Sequence, residues 1–257
     1  MTATPVEGHA DGVGRRAARL VAQTGMELRL LLRNAENLTV TFGIPTGLLV
    51  FFSLVRVLPV PDDTEPVAFL APGILALSVI GAAMVSLGIQ TGFERFYLVL
   101  KRLGATPLRR GELIASKALA ILAVEVVQVV VIVGVALALG WRPEGDRLAL
   151  VVPAMLLGTA AFAGIGMGLA GRLKALATLA LVNALFLLLL ISSGIMFPLD
   201  RLPEAMQVAA RILPAAPLAD WLRAAFEGDA IPVTSLIALP VWAVAAPALA
   251  ARAFRWD

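Results

Sequence analysis

The chain of 257 residues is too apolar for a soluble globule: 60% of it is hydrophobic, 15% is charged and its mean hydropathy is +0.90. Several uncharged runs approach or exceed the roughly 20 residues that cross a bilayer, which predicts an all-α membrane protein with several spans. The absence of cysteine excludes disulfides, thiolate metal sites and cysteine nucleophiles. The single histidine, His9, lies in a polar stretch, which argues against histidine-ligated metal or histidine catalysis within the membrane.

Residues 1–14 are predicted to form a flexible tail and residues 15–36 an amphipathic interfacial helix. No small-residue cleavage site follows the basic residues, so a cleavable signal is not expected. Apolar side chains recur at helical spacing on one side of this segment, and Arg15, Arg19 and Arg33 occupy the other. The pattern fits a basic juxtamembrane helix, or more specifically an elbow that contacts a cytosolic subunit.

Six spans are predicted within a transmembrane domain over 37–257: 38–58, 67–92, 110–139, 149–171, 175–197 and 232–252. The first contains Pro45 and closes at the turn signal Leu58-Pro59-Val60-Pro61. The break at 172–174 is short enough to make the fourth and fifth spans an antiparallel hairpin.

The distribution of lysine and arginine predicts the orientation. With the N-terminus in the cytosol, 15 of the 21 basic residues fall on inside segments, and the outside segments carry most of the acidic ones. We therefore expect a multi-pass protein of the plasma (inner) membrane with both termini cytosolic. The net charge of +3 follows from this topology and does not require nucleic-acid binding.

A charged island at 94–107 separates the second and third spans. It combines basic residues with leucines, and Thr106 and Pro107 are suited to cap and start the next helix. Such a basic loop can be a simple topology signal. It can also be a stiff knob that transmits the motion of a cytosolic partner to the two spans it joins.

The segment from 197 to 230 reads as two short amphipathic helices over 198–228, in or dipping into the outer leaflet. It can act as a lid over the span ends, or as an outer gate or lipid-facing exit. The gate residues would be Phe197, Pro198, Trp221 and Phe226.

Polar side chains inside the spans are candidates for a translocation path. Glu125 lies deep in the third span, where a charge is costly, and Gln128 is one turn further on the same face. Asn183 and Ser192 lie in the fifth span. All four can line the path. Alternatively, Glu125 and Gln128 can hydrogen-bond across a dimer, or Glu125 can be protonated and satisfied within the bundle, while Asn183 and Ser192 can hydrogen-bond between helices.

The island and the residues after the fifth span resemble the type-2 ABC exporter permeases of drug-resistance and polysaccharide export. The resemblance rests on Glu94-Arg95, Leu100-Lys101-Arg102-Leu103 and Ala105-Thr106-Pro107, followed by Ser193-Gly194-Ile195-Met196-Phe197-Pro198-Leu199, Leu202-Pro203 and Ile212-Leu213-Pro214. It extends from the basic helix to the last span. One departure is Leu98-Val99, where many relatives carry Gly-Thr.

The resemblance implies a permease that pairs with a second copy, identical or not, and sits on two cytosolic ATP-binding subunits. Residues 94–107 would form the coupling helix, and the ATPase-subunit interface would comprise Glu94, Arg95, Leu98, Leu100, Lys101, Arg102, Leu103, Thr106 and Pro107. No Gly-x-x-x-x-Gly-Lys-Ser/Thr loop is present, so the chain is expected to bind no cofactor and to be no enzyme, with ATP and Mg used by the partner.

The expected function is export of an amphipathic drug-like or lipid-linked molecule by alternating access, as in multidrug efflux and antibiotic resistance. Membrane lipid and a hydrophobic small molecule are expected contacts, and nucleic acid is not. Two alternatives remain: a transporter or channel driven by an ion gradient through Glu125, and an intramembrane enzyme. The enzyme alternative is disfavoured because the predicted spans contain no histidine, no cysteine and no paired aspartates, which intramembrane active sites use.

Overall fold

The part of the chain that the structure describes is mainly helical and contains no β-strand. The structure is a computed structural model and describes residues 7–55, 64–143 and 145–253. The α-helices are α1 Glu7–Arg33, α2 Ala35–Leu54, α3 Pro66–Val79, α4 Leu87–Phe96, α5 Val99–Gly104, α6 Arg110–Ala138, α7 Val151–Ala170, α8 Ala175–Ser192, α9 Glu204–Ile212, α10 Ala215–Glu227 and α11 Val233–Ala253. A π-helical segment, Ile80–Ser86, joins α3 to α4, and 3₁₀ turns cover Gly145–Leu150 and Leu199–Arg201.

Five helices in the described ranges are long and apolar enough to cross a membrane. They are Pro66–Phe96, Arg110–Ala138, Asp146–Ala170, Ala175–Ser192 and Val233–Arg252. The first predicted span, α2, is long and apolar enough to cross a membrane only when it is counted together with α1, from which it is bent by 68°. The prediction of an all-α membrane protein is therefore confirmed, with five spans or six if the bent pair is counted.

The second predicted span is the centre of the bundle. It runs without interruption through α3, the π segment and α4, and 89% of its most apolar 18-residue stretch is buried inside the protein. Close contact with α7 depends on glycine: a Cβ at Gly166 would lie 2.6 Å from the carbonyl oxygen of Met84, and one at Gly164 would collide with Pro247 on α11. The absence of side chains at these two positions lets α7 lie directly against both neighbours.

The N-terminal helix is longer than predicted. It begins at Glu7, so residues 7–14 of the predicted tail are helical, and their flexibility stays a prediction. The glycines in this stretch weaken a helix without ending it, because no proline interrupts the backbone hydrogen bonds of α1. Residues 1–6 and the predicted turn at 58–61 lie outside the described residues.

The fifth predicted span ends early. The helix α8 stops at Ser192, five residues before the predicted end at 197. The chain turns here because Gly194 adopts a left-handed conformation, with φ of 76°, which an α-helix cannot contain. Residues 193–196 then return into the bundle, where Ile195 has no exposed surface.

The two helices predicted over 198–228 differ from each other. α9 is amphipathic and mostly exposed, as expected for a helix at a membrane surface. α10 instead packs against α3, α7 and α11, and ten of its thirteen residues are buried. Only α9 therefore lies on the surface, and α10 is a short helix inserted among the spans.

Candidate functional site

A cavity of about 660 Å³ lies between the central span and three other helices. One wall comes from α3, the π segment and α4, a second from the end of α1 and the first half of α2, and a third from α8. The wall residues are mainly aliphatic and aromatic, with polar groups such as Ser78, Gln90 and Asn183 at separate points. An apolar cavity with a few placed polar groups is typical of sites for small amphipathic molecules.

The cavity reaches the end of the bundle that carries α5, which we call the α5 end. Glu94, Tyr97 and Val99 line it there. The opposite end of the bundle carries α9 and α10 and is called the α10 end.

A buried ionic cluster lies at the α5 end and consists of Glu27, Gln90, Glu94 and Lys117. The Lys117 ammonium, with none of its side chain exposed, is 2.7 Å from a Glu27 oxygen and 2.8 Å from Glu94 Oε1. Gln90 Nε2 donates to Glu94 Oε1 at 2.9 Å. The cluster joins α1, α4 and α6 through groups that are far apart in sequence.

Sequence reasoning missed three members of this cluster. Lys117 is seven residues inside the apolar run that begins at 110, so the cost of burying its charge could have marked it as a paired residue. Glu27 carried no such signal, because an acid in an amphipathic basic helix fits a solvated face equally well. Gln90 had no distinguishing pattern.

The predicted coupling segment is not one helix. α4 ends at Phe96, Leu98 adopts a left-handed conformation with φ of 61°, and α5 occupies only Val99–Gly104. The left-handed Leu98 thus divides the predicted coupling segment 94–107 into the end of α4 and the short helix α5, and its coupling role stays a prediction.

The predicted cap of the following helix is wrong. Thr106 Oγ1 donates to the carbonyl oxygen of Leu103 at 2.6 Å, so it closes a turn after α5. The helix α6 starts at Arg110, and the backbone N–H of Arg109 donates to Glu112 Oε2 at 2.9 Å. Thr106 and Pro107 therefore lie in the connection between α5 and α6.

The nine predicted interface residues divide into two groups. Glu94 belongs to the ionic cluster, Leu100 is fully buried, and Arg95 Nη1 donates at 3.4 Å to the carbonyl oxygens of Ala170 and Leu173, at and just beyond the end of α7. The exposed members are Leu98, Lys101, Arg102, Thr106 and Pro107, with Leu103 partly buried.

Two exposed aromatic residues extend the surface formed by that second group. Phe96 and Tyr97 expose 67% and 64% of their surface, and their rings meet edge to face at 5.2 Å. We call residues 96–102 the apolar-basic turn, because exposed aromatic and aliphatic side chains lie here beside Lys101 and Arg102. Leu100 is the buried residue that anchors this turn to the bundle.

The four predicted path residues are not brought together. Glu125 Oε2 accepts a hydrogen bond from Thr159, which links α6 to α7, and Gln128 Nε2 donates at 2.7 Å to the carbonyl oxygen of Thr41, which links α6 to α2. Asn183 lines the cavity. Ser192 donates to the Leu188 carbonyl oxygen of its own helix.

At the α10 end, Arg223 holds the returning segment 193–196. Its Nη2 donates at 2.5 Å to the Gly194 carbonyl oxygen, its guanidinium lies 4.5 Å from the centre of the Phe69 ring, and its Nη1 is 3.5 Å from an Asp220 oxygen. Burial lowers the pKa of Arg223 and raises the pKa of Asp220. The free-energy cost of removing both charged groups from water is therefore larger than the stabilisation from their attraction at 3.5 Å.

The four predicted gate residues lie around this group. Trp221 and Phe226 are buried, and the Phe226 ring meets Trp141 at 4.8 Å. Trp221 Nε1 donates to the Leu150 carbonyl oxygen at 3.1 Å. Phe197 and Pro198 are partly exposed at the return of the chain to the surface.

A model of the ABC-2 type transporter family matches residues 20–226. This range contains the cavity, the ionic cluster, the apolar-basic turn and all but the last residue of α10. No curated protein matches the chain.

Proposed function

The chain belongs to the ABC-2 type transporter family, and from that premise we propose that it is the permease subunit of an ATP-driven exporter. Two cytosolic ATP-binding subunits would supply the energy, and a second permease copy, identical or not, would complete the transporter. The α5 end would face the cytosol and the α10 end the outside, in the plasma membrane.

The observation that carries the proposal is the direct connection between the apolar-basic turn and the central span. Tyr97 and Leu98 follow α4 immediately, and α4 is the last part of the helix against which the other spans pack. Exposed aromatic residues beside basic ones are suited to a protein interface. A force applied to this turn would act on the centre of the bundle.

The cavity supports the transport step. It runs beside the central span from the apolar-basic turn to Ser78 and offers an apolar wall to a hydrophobic molecule. Displacement of α4 by a docked ATPase subunit would change the shape of this wall, because α4 residues Gln90, Phe93 and Glu94 form part of it. The substrate would then leave past α10 and the segment 193–198.

The experiment is purification of the tagged chain together with its ATPase in lipid nanodiscs, with mass spectrometry and an ATP hydrolysis assay. Reversal of two exposed charges by Lys101→Glu and Arg102→Glu is expected to abolish recovery of the ATPase. Arg95 is left intact, because it holds carbonyl groups at the end of α7 and its replacement would disturb the permease itself.

The matched control reverses two exposed charges at the α10 end, Arg201→Glu and Arg211→Glu. This variant carries the same change in net charge and is expected to retain the ATPase. Equal recovery from both variants would reject the apolar-basic turn as the docking surface. A chain that purifies without any ATPase, and whose transport responds to an ion gradient, would favour the alternative based on Glu125.

A further inference from the structure

We propose that the cavity selects amphipathic cations, with the cationic head at the Glu94 end and the apolar body along the central span. This inference names a substrate class for the proposed function and rests on it. It is carried by the charge balance of the ionic cluster and by the position of Glu94 in the cavity wall.

The cluster contains two carboxylates and one ammonium. Lys117 pairs with both Glu27 and Glu94, so the three groups together carry one net negative charge. Among the described residues, Glu94 Oε2 is buried without a hydrogen-bond partner. An unbalanced carboxylate in a site of low dielectric favours a cation nearby.

Two arginines on the helices of the cluster also make contacts outside it. Arg95 contacts the carbonyl groups at the end of α7, and Arg19 forms its own pair with Glu112 at 3.1 Å. The Arg19–Glu112 pair is neutral as a unit. The excess negative charge is therefore counted over Glu27, Glu94 and Lys117 alone.

The cavity places this charge at one end of an apolar volume. Gln90 and Glu94 stand at the α5 end of the wall, and Leu77, Ala82, Val85 and Phe186 are among the aliphatic and aromatic residues beyond them. A molecule with a cationic head and an apolar body matches that division. An anionic head in the same place would be repelled by the cluster.

The test measures equilibrium binding of two probes to the purified chain in neutral detergent micelles, with empty micelles subtracted. Methyltriphenylphosphonium is a cation, and triphenylphosphine oxide is a neutral molecule with the same three phenyl groups. At an effective dielectric of about 20, one excess charge several ångströms away corresponds to about a tenfold or greater difference in affinity. We expect the cation to bind at least that much more tightly.

Glu94→Gln keeps the shape of the side chain and removes its charge. It is expected to weaken the cation by about tenfold and to leave the neutral probe within about twofold. The matched control, Glu112→Gln, makes the same change in net charge outside the cavity and is expected to change neither affinity. Equal affinities for the two probes, no saturable binding of either, or an unchanged cation affinity in Glu94→Gln would overturn the inference.

A second variant covers the case in which Glu94→Gln does not fold. Asn183→Lys leaves the ionic cluster intact and adds an ammonium to the cavity wall formed by α8. It is expected to weaken the cation and spare the neutral probe, and Asn183→Leu is its uncharged control. These measurements need no ATPase, so loss of charge selection and loss of ATPase recovery are separate results.

Discussion

The two ends of the bundle bury a cation in different ways. At the α5 end Lys117 lies between two carboxylates at 2.7 and 2.8 Å. At the α10 end Arg223 is held by a backbone carbonyl oxygen and an aromatic ring, with its carboxylate more distant at 3.5 Å. The first arrangement ties three helices together through charge, whereas the second ties an irregular segment to a helix mainly through a dipole and a ring face.

This difference predicts which end of the bundle can open more easily. Separation of the α5-end groups would leave full charges unpaired in the interior, so α1, α4 and α6 should move as a unit. Separation of Arg223 from Gly194 would cost one charge-assisted hydrogen bond and the contact with Phe69. The α10 end is therefore expected to open more readily than the α5 end comes apart.

The largest effect is expected from Lys117→Met. Two buried carboxylates would lose their common partner, and the free energy of unfolding should fall by about 3 to 5 kcal/mol. Denaturant unfolding in mixed micelles, followed by tryptophan fluorescence, measures this change. The control, Lys101→Met, removes an exposed lysine from α5 and should leave the free energy of unfolding almost unchanged. Equal losses of stability in the two variants would show that the ionic cluster does not hold α1, α4 and α6 together.

A smaller loss is expected from Arg223→Gln. A buried charge-assisted hydrogen bond is worth about 1.5 to 3 kcal/mol, and the shorter amide would lose that bond. The natural chain has no cysteine, so Met196→Cys gives a single thiol for labelling. We expect the thiol, buried at this position, to react faster with a maleimide when Arg223→Gln is added, and an unchanged rate would contradict the role of Arg223. Arg201→Gln, at an exposed position of the 3₁₀ turn Leu199–Arg201, is the control.

The left-handed residue between the α5-end helices allows a third comparison. Leu98 has φ of 61°, a conformation that costs a residue with a side chain roughly 1 to 2 kcal/mol and glycine almost nothing. Leu98→Gly should therefore be more stable than Leu98→Ala by about 1 kcal/mol in the same unfolding assay. If both variants lose the ATPase equally, the Leu98 side chain contributes to docking; the reverse order of stability would reject the strain argument.

The smallest effect is expected from Asp220→Asn. Burial raises the pKa of Asp220, so the folded protein holds that proton more tightly than the unfolded chain does. The Asp220 contribution to the free energy of unfolding therefore falls as the pH rises from its ordinary pKa of 3.8 through the raised value, and it is constant above. The amide variant should lack this part of the pH dependence and differ in stability by less than about 1 kcal/mol at neutral pH. A loss as large as that of Arg223→Gln would show that the pair at 3.5 Å is essential.

The membrane helices were predictable from the sequence because hydropathy acts locally. Runs of apolar residues predicted most ends of the last four spans to within a few residues. The exceptions arose where the backbone changed course for local reasons, at Gly194 in the fifth span and at Leu98 in the island. A left-handed residue is a single-position event, and leucine gives no indication of it.

The candidate site was less predictable because its groups meet through packing. Glu27 and Lys117 are separated by 90 positions, and only the crossing of α1 with α6 brings their charges together. Glu125 was recognised as costly, but its partner Thr159 on α7 could not be identified without the helix packing. The cavity wall likewise draws on four separate helices, so its residues share no sequence pattern.

The π segment in the central span has a consequence for how this protein can change through evolution. A π turn accommodates about one more residue than an α turn does, so each residue of a π segment turns the chain by less than the roughly 100° of an α-helix. Deletion of one residue that let Ile80–Ser86 close as α-helix would therefore leave the two halves of the span near their present phase, whereas deletion of one residue between Leu87 and Phe93 would rotate Glu94 by about 100° away from Lys117. The π segment is thus the part of this span where the chain can lose one residue with the least effect on the ionic cluster.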